Sequence, residues 1–208
     1  MTRVSPRWAV LGTAWLVGCA STGGERDRSY AIRFESGIGR PAFEARSNGD
    51  AIEVLDAEGR LLASLARERE ALLVLDDRNR PLGRVVERPD DEDFRLLWLA
   101  PDGTPGFGLE RETDGDLELE DAEGETVYEL KARDYGFKVV DGRDEPALRV
   151  RRSENGKISV RDSEDVTYLV TRDVVPTEVA AVWALPELDF MRATGFAVAL
   201  WIESTERP

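Results

Sequence analysis

Any chemistry in this chain must come from carboxylates, arginines, three lysines, hydroxyls and a single thiol. The 208 residues hold 42 Asp plus Glu against 28 Lys plus Arg, one Cys at position 19 and no His. Lacking His, the chain lacks the commonest general base and metal ligand and every Ser-His or Cys-His nucleophile. One Cys permits neither an internal disulfide nor a thiolate metal site. Serine activation by Lys would need Ser-x-x-Lys spacing, and Lys131, Lys138 and Lys157 do not follow a Ser at that distance. With so many carboxylates some pairs must be neighbours, so a glycosidase-like acid/base pair acting on cell-wall glycans stays open as an alternative, although no pair stands out. Asp90-Asp91-Glu92-Asp93 offers hard oxygen ligands for Ca²⁺, but it lacks the spaced acids, glycine and distal Glu of a calcium loop and reads as an exposed insertion. Gly103, Gly106 and Gly108 lie beside Pro101 and Pro105, outside dinucleotide-loop spacing, and read as turn residues. The expectation is no catalytic residue, no metal and no cofactor.

The first thirty residues read as an address. Arg3 and Arg7 give a positive start, Trp8 to Val17 is largely apolar, and small residues lead to Cys19. The apolar stretch is shorter than the ~20 residues that span a bilayer, so it reads as a secretory signal over residues 1–18. Leu16-Val17-Gly18-Cys19 resembles the lipobox of bacterial lipoproteins at all four positions. That resemblance implies cleavage before Cys19 and diacylglycerol on its sulfur, which makes Cys19 the lipidation site and the membrane a partner through that lipid. Family usage also reads the following residue as a sorting signal; Ala20, in place of Asp, implies an outer-membrane lipoprotein facing the periplasm. Residues 19–29 then form the lipidated Cys and a small, polar, flexible tether.

Loss of Arg3 and Arg7 takes the net charge from −14 to −16. Such a body repels phosphate, so nucleic acid is not an expected partner, and the body should stand off anionic lipid.

Residues 30–208 suffice for one domain with a real core. From about residue 41 a unit of apolar, any, apolar, any, Asp recurs: Ile52-Val54-Asp56, Leu72-Val74-Asp76, Leu96-Trp98-Ala100, Leu117-Leu119-Asp121, Phe137-Val139-Asp141 and Ile158-Val160-Asp162. The steps are 20, 24, 21, 20 and 21 residues, the long one holding the charged insertion. Period-2 spacing puts both apolar side chains on one strand face, and the Asp with nearby Gly ends the strand in a turn. A second alternating run, such as Tyr128-Leu130-Ala132, fills the rest of each period, so each holds a hairpin. Six periods predict a mainly β domain of about twelve antiparallel strands, a barrel or strongly curved sheet, since closure removes exposed edges.

The tail breaks the pattern. Pro176 precedes Thr177 to Leu185 and Pro186 precedes Glu187 to Glu203, and both segments read as helices. Gly195 to Ile202 is apolar all round, as in a helix surrounded by protein, packed in or against the sheet. Trp98, Trp183 and Trp201 read as core or barrel filling. Hairpin repeats with acidic turns, closed by an apolar C-terminal helix beginning near Leu188-Asp189, resemble the tubby-like superfamily over residues 41–203. That group includes the LURP-one-related proteins and the phospholipid scramblases. The resemblance implies a twelve-stranded barrel whose channel is filled by the C-terminal helix. Its phosphoinositide site is a basic cluster that nothing here matches.

Function is expected to be that of a membrane-tethered, non-enzymatic cell-envelope lipoprotein, a structural or adaptor module offering an acidic outer surface to an unknown envelope protein partner. The alternative is a carrier or binder of a lipid or other apolar ligand, contacted by Phe190, Phe196 and Trp201.

Overall fold

The computed structural model describes residues 31–48, 51–89 and 94–206. The leader, Cys19, the tether and the Asp90-Asp91-Glu92-Asp93 run lie outside the described residues. Fourteen strands close into one antiparallel barrel in which each strand pairs with its chain neighbours and β1 pairs with β14. In order they are β1 (Ala31–Ser36), β2 (Pro41–Asn48), β3 (Ala51–Asp56), β4 (Leu61–Arg67), β5 (Ala71–Asp76), β6 (Pro81–Pro89) and β7 (Phe94–Leu99). Next come β8 (Pro105–Arg111), β9 (Leu117–Glu120), β10 (Thr126–Arg133), β11 (Gly136–Asp141), β12 (Pro146–Arg152), β13 (Ile158–Asp162) and β14 (Thr167–Thr171). Two helices follow, α1 (Thr177–Trp183) and α2 (Phe190–Glu206).

The six repeat units are β3, β5, β7, β9, β11 and β13, each the first strand of a hairpin. The barrel holds one hairpin more than the repeat predicts. Ile32-Phe34-Ser36 of β1 is a seventh copy, 20 residues before Ile52, with Ser in place of the terminal Asp. Ser36 still makes the same turn, its Oγ accepting from the Arg40 N–H at 3.2 Å.

Each of these turns closes in one way. The first residue's N–H donates to the carbonyl four residues on, and the N–H of the fourth donates back, as in Asp56 with Arg60 and Gly59. The fourth residue needs positive φ, which Gly59 and Gly124 take at no steric cost and Asn79, Asp144 and Asp165 tolerate. A carboxylate at the first position accepts two more backbone N–H groups: Asp76 Oδ1 takes those of Arg78 and Arg80 at 2.8 and 2.9 Å. The recurrent Asp residues are thus turn closers.

Alternate residues of every strand face inward, onto a hairpin of the two helices. Phe196 and Leu200 of α2, with Val179 and Val182 of α1, join the strands' Val54, Leu65, Leu130 and Val150 in one cluster. The second helix starts at Phe190, three residues later than Pro186 suggests, because Asp189 caps it by accepting the Met191 and Arg192 N–H groups at 3.0 and 2.9 Å. Inside the barrel, Trp183 Nε1 donates to Thr194 Oγ1 at 3.0 Å, pinning α1 to α2. The three tryptophans Trp98, Trp183 and Trp201 are all buried.

Trp98 lies where three side chains are missing. A Cβ on Gly83 of β6 would stand 2.3 Å from its ring, one on Gly195 of α2 3.0 Å and one on Gly106 of β8 3.1 Å. Gly106 and Gly108 therefore belong to a strand, and only Gly103 of that trio is in a turn. Gly83→Ala must displace the Trp98 ring and is expected to destabilise the barrel by about 1–3 kcal/mol, read as a lower denaturant midpoint with an unchanged slope.

Candidate functional site

The barrel has two unlike ends. At one, the seven turns that follow the odd-numbered strands gather, closed by Ser36, Asp56, Asp76, Ala100, Asp121, Asp141 and Asp162. At the other lie the chain's entry into α1 and the exit of α2. A pocket of about 510 Å³ opens there, between the β4–β5 turn and the last turns of α2. Leu72, Val85, Leu96 and Phe94 of the wall and Ala199 and Ile202 of α2 make its floor. Its rim is charged, with Arg67, Arg69, Glu68, Glu70, Glu87 and Glu203.

Three features build this pocket. The β4–β5 turn closes through Glu68 N–H donating to the Ala71 carbonyl at 2.8 Å, which lifts Glu68 to Glu70 above the wall. Ala199 is small and half-buried where flanking Val198 and Leu200 are fully buried, so the helix leaves room on this face. Beside the pocket Arg111 of β8 ties both helices to the wall: its Nη1 donates to Glu203 Oε1 at 2.9 Å and its Nη2 stands 3.8 Å from Glu178 Oε1. The Arg111 guanidinium also sits 5.0 Å from the Phe94 ring centre. An apolar floor under a charged rim suits a small amphiphile, with its chain inward and its polar head at the rim.

The aromatic residues expected to contact an apolar ligand lie elsewhere. Phe196 is fully buried and Trp201 nearly so, inside the packed interior. Phe190 is half-buried at the far end of the same helix, its ring 5.3 Å from that of Phe43 in a cluster with Phe34 and Trp183. The pocket lining includes none of the three. Arg111, Ala199, Ile202 and Glu203 carried no signal in the sequence, because only closure brings the end of α2 against the β4–β5 turn. Among the described residues no group of three acids, Cys or His is placed to hold a metal ion, and no helix is long and apolar enough to cross a membrane.

The titratable groups fall into two sets. Backbone and side-chain hydrogen bonds from Arg80 and the Arg78 N–H hold Asp76 down to about 2. Asp141 is lowered by the N–H groups of Glu145 and Arg143, and Asp102 by its hydrogen bonds with Thr104. Asp56 is lowered as well; burial acts against it, and its bonds from Arg60 and Glu58 prevail. On the outer wall around β9 the opposite holds. Glu118 faces Glu110 on β8 and Glu129 on β10 directly across the strands, and burial followed by the charges of Glu120, Glu129 and Glu110 pushes its carboxyl up. Burial and then Glu118, Asp114 and Asp116 raise Glu112.

No family model matches the chain, and no curated protein does. Among solved structures, it is similar to a protein from Arabidopsis thaliana at 12% identity and TM-score 0.43, covering 86% of this chain and 93% of that one. It is similar also to BamB from Moraxella catarrhalis at 12% identity and TM-score 0.26, covering 63% and 67%. Similarity at these scores supports no statement about function.

The two sets of carboxylates give stability a maximum in mild acid. A raised Glu binds its proton more tightly folded than unfolded, so Glu112 and Glu118 release repulsion as pH falls towards their ordinary 4.5. A lowered Asp stabilises the fold above its ordinary 3.8, and that stability is lost as pH falls on towards the folded value, about 2 for Asp76. The melting temperature is therefore expected to rise from pH 7 to about 5 and to fall steeply between about 4 and 2. Asp76→Ala should flatten the acid limb of that curve.

Proposed function

We propose that this chain is a membrane-tethered, non-enzymatic lipoprotein of the cell envelope whose barrel acts as a structural or adaptor module. Cys19 carries the diacylglycerol, and residues 20–29 link it to the body on the periplasmic side of the outer membrane. The observation that carries the adaptor reading is the filled interior: the chain's own helices occupy the space that a transport barrel would keep for cargo. Work is then left to the outer wall and the barrel ends, and the partner is an envelope protein. The similarity of the hairpin repeats and apolar tail helix to the tubby-like superfamily agrees with a self-filled barrel.

The mouth pocket favours a second reading, a binder of one small amphiphile. Its volume of about 510 Å³ falls in the range of ligand sites.

Two experiments separate these readings and test the anchor. Cys19→Ser should move the protein from the membrane to the soluble fraction; continued membrane association would mean that another element anchors it. Titration of the body with a fluorescent fatty acid should give no saturable binding on the adaptor reading. On the second reading it should saturate, and Ala199→Trp, which fills the pocket, should abolish the signal.

A further inference from the structure

Among the described residues the exposed large apolar side chains are Ile38, Val166 and Val174. Ile38 and Val166 stand on the turns after β1 and β13, at the end where the Asp-closed turns gather. Val174 follows β14 at the other end, the mouth, and at 95% it is the most exposed of the three. The loop that carries it is held on both sides. Asp173 Oδ2 accepts the Arg33 N–H of β1 at 2.6 Å, and the Asp173 N–H donates to Thr171 Oγ1 at 3.1 Å. On the other side Arg152 Nη2 donates to the carbonyl of buried Val175 at 2.6 Å. This loop stands beside the chain's own entry, since β1 runs from the mouth to its turn at Ser36 and its third residue makes the bond to Asp173. The two ends differ in charge as well. The seven turns of the far end hold fourteen Asp and Glu against five Arg. On the mouth's rim from β10 to β14, the exposed arginines Arg133, Arg151, Arg152 and Arg172 stand with the exposed acids Asp134 and Glu154. The acidic turn of the mouth, Glu112 to Asp116, follows β8, which lies diametrically opposite β1 in the ring of strands.

We propose that the loop from Arg172 to Pro176, with the rim beside it, is the body's contact with the phospholipid surface of the membrane that carries its anchor. Val174 enters the head-group layer, and the rim arginines face lipid phosphates. The inference rests on the Cys19 anchor and adds to it the orientation of the body. A weak contact suffices there, because a short tether holds the body at high effective concentration beside the surface. Residues 20–29 reach ~35 Å at most, and they lead into the body next to Val174. With the far end turned to the membrane, the same residues would have to run along the barrel wall, roughly 20 Å for a six-residue strand. The acid-rich turns would then face anionic lipid, which repels them. Contact on the β14 side instead tilts the Glu112 to Asp116 turn away from the lipid and points the Asp-closed end outward, where a partner can reach it.

The test uses the full chain with its lipid, reconstituted into vesicles of phosphatidylethanolamine and phosphatidylglycerol. Cys19 is the chain's single cysteine and the anchor occupies its sulfur, so Val174→Cys and Ile38→Cys each supply one thiol for an environment-sensitive fluorophore. The two sites are matched, each an exposed apolar residue at one end of the barrel. Emission from position 174 is expected to shift to the blue on vesicles and to be quenched by lipids brominated on their acyl chains, while position 38 keeps its aqueous emission. A label at 174 that stays in water overturns the proposal, as does a label at 38 that enters the lipid in its place. Flotation reads the anchor separately. A chain that does not float with the vesicles ends the anchor reading and this inference with it, whereas a chain that floats with its 174 label in water ends this inference alone. Should either variant fail to fold, hydrogen exchange of the unlabelled chain decides: slower exchange of the Asp173 to Val175 amides on vesicles is expected, and unchanged exchange there overturns the proposal.

Discussion

A closed wall of fourteen strands encloses more space than its own side chains can fill, and the rest of the molecule answers that constraint. About eight strands is the size at which inward residues alone close the interior, and wider barrels keep a channel or need a plug. Here the plug is the helical hairpin. That is why α2 is apolar on nearly every side, why the buried Trp183 to Thr194 bond lies in the middle of the barrel, and why Trp98 has glycines on two neighbouring strands and on the helix. Glycine at those points is a packing requirement, because a Cβ on Gly83 would occupy the place of the Trp98 ring.

Filling the barrel moves its possible functions outward. The helix hairpin joins the wall in one core cluster, and a pocket forms where α2 ends beside the raised β4–β5 turn. Arg111 joins both helices to β8 at that end. The outer wall carries a row of facing glutamates on β8 to β10 and a row of cations formed by Lys131, Lys138, Arg149 and Arg161 on β10 to β13. Asp144 and Asp165, held at positive φ in their turns, stand within ion-pair distance of Lys131 and of Arg149 and Arg161. Turn chemistry and wall chemistry are in this way connected.

The hairpin repeat was legible because it is local. Period-2 alternation, an Asp that closes its own turn and a residue at positive φ all act within a few positions, so six units could be read along the chain. The seventh, Ile32-Phe34-Ser36, escaped because Ser replaces the marker residue although the same turn forms. The late start of α2 escaped for a similar reason: Pro186 looked like a helix opening, and the Asp189 carboxylate overrides it by capping the helix.

What the amino-acid order determined by itself is the class of the fold, the position of its turns, the two tail helices and an N-terminal pattern centred on Cys19. These follow from propensity, alternation and charge over short distances. Only the tertiary structure decided that the helices enter the barrel together, that Phe196 is fully buried in its interior, and that a pocket lies beside Ala199 and Ile202. It alone placed leucines of β5 and β7 on one outer face. Each of those outcomes depends on barrel closure, which sets β1 against β14 across more than 130 residues of chain, a distance over which no local pattern carries information.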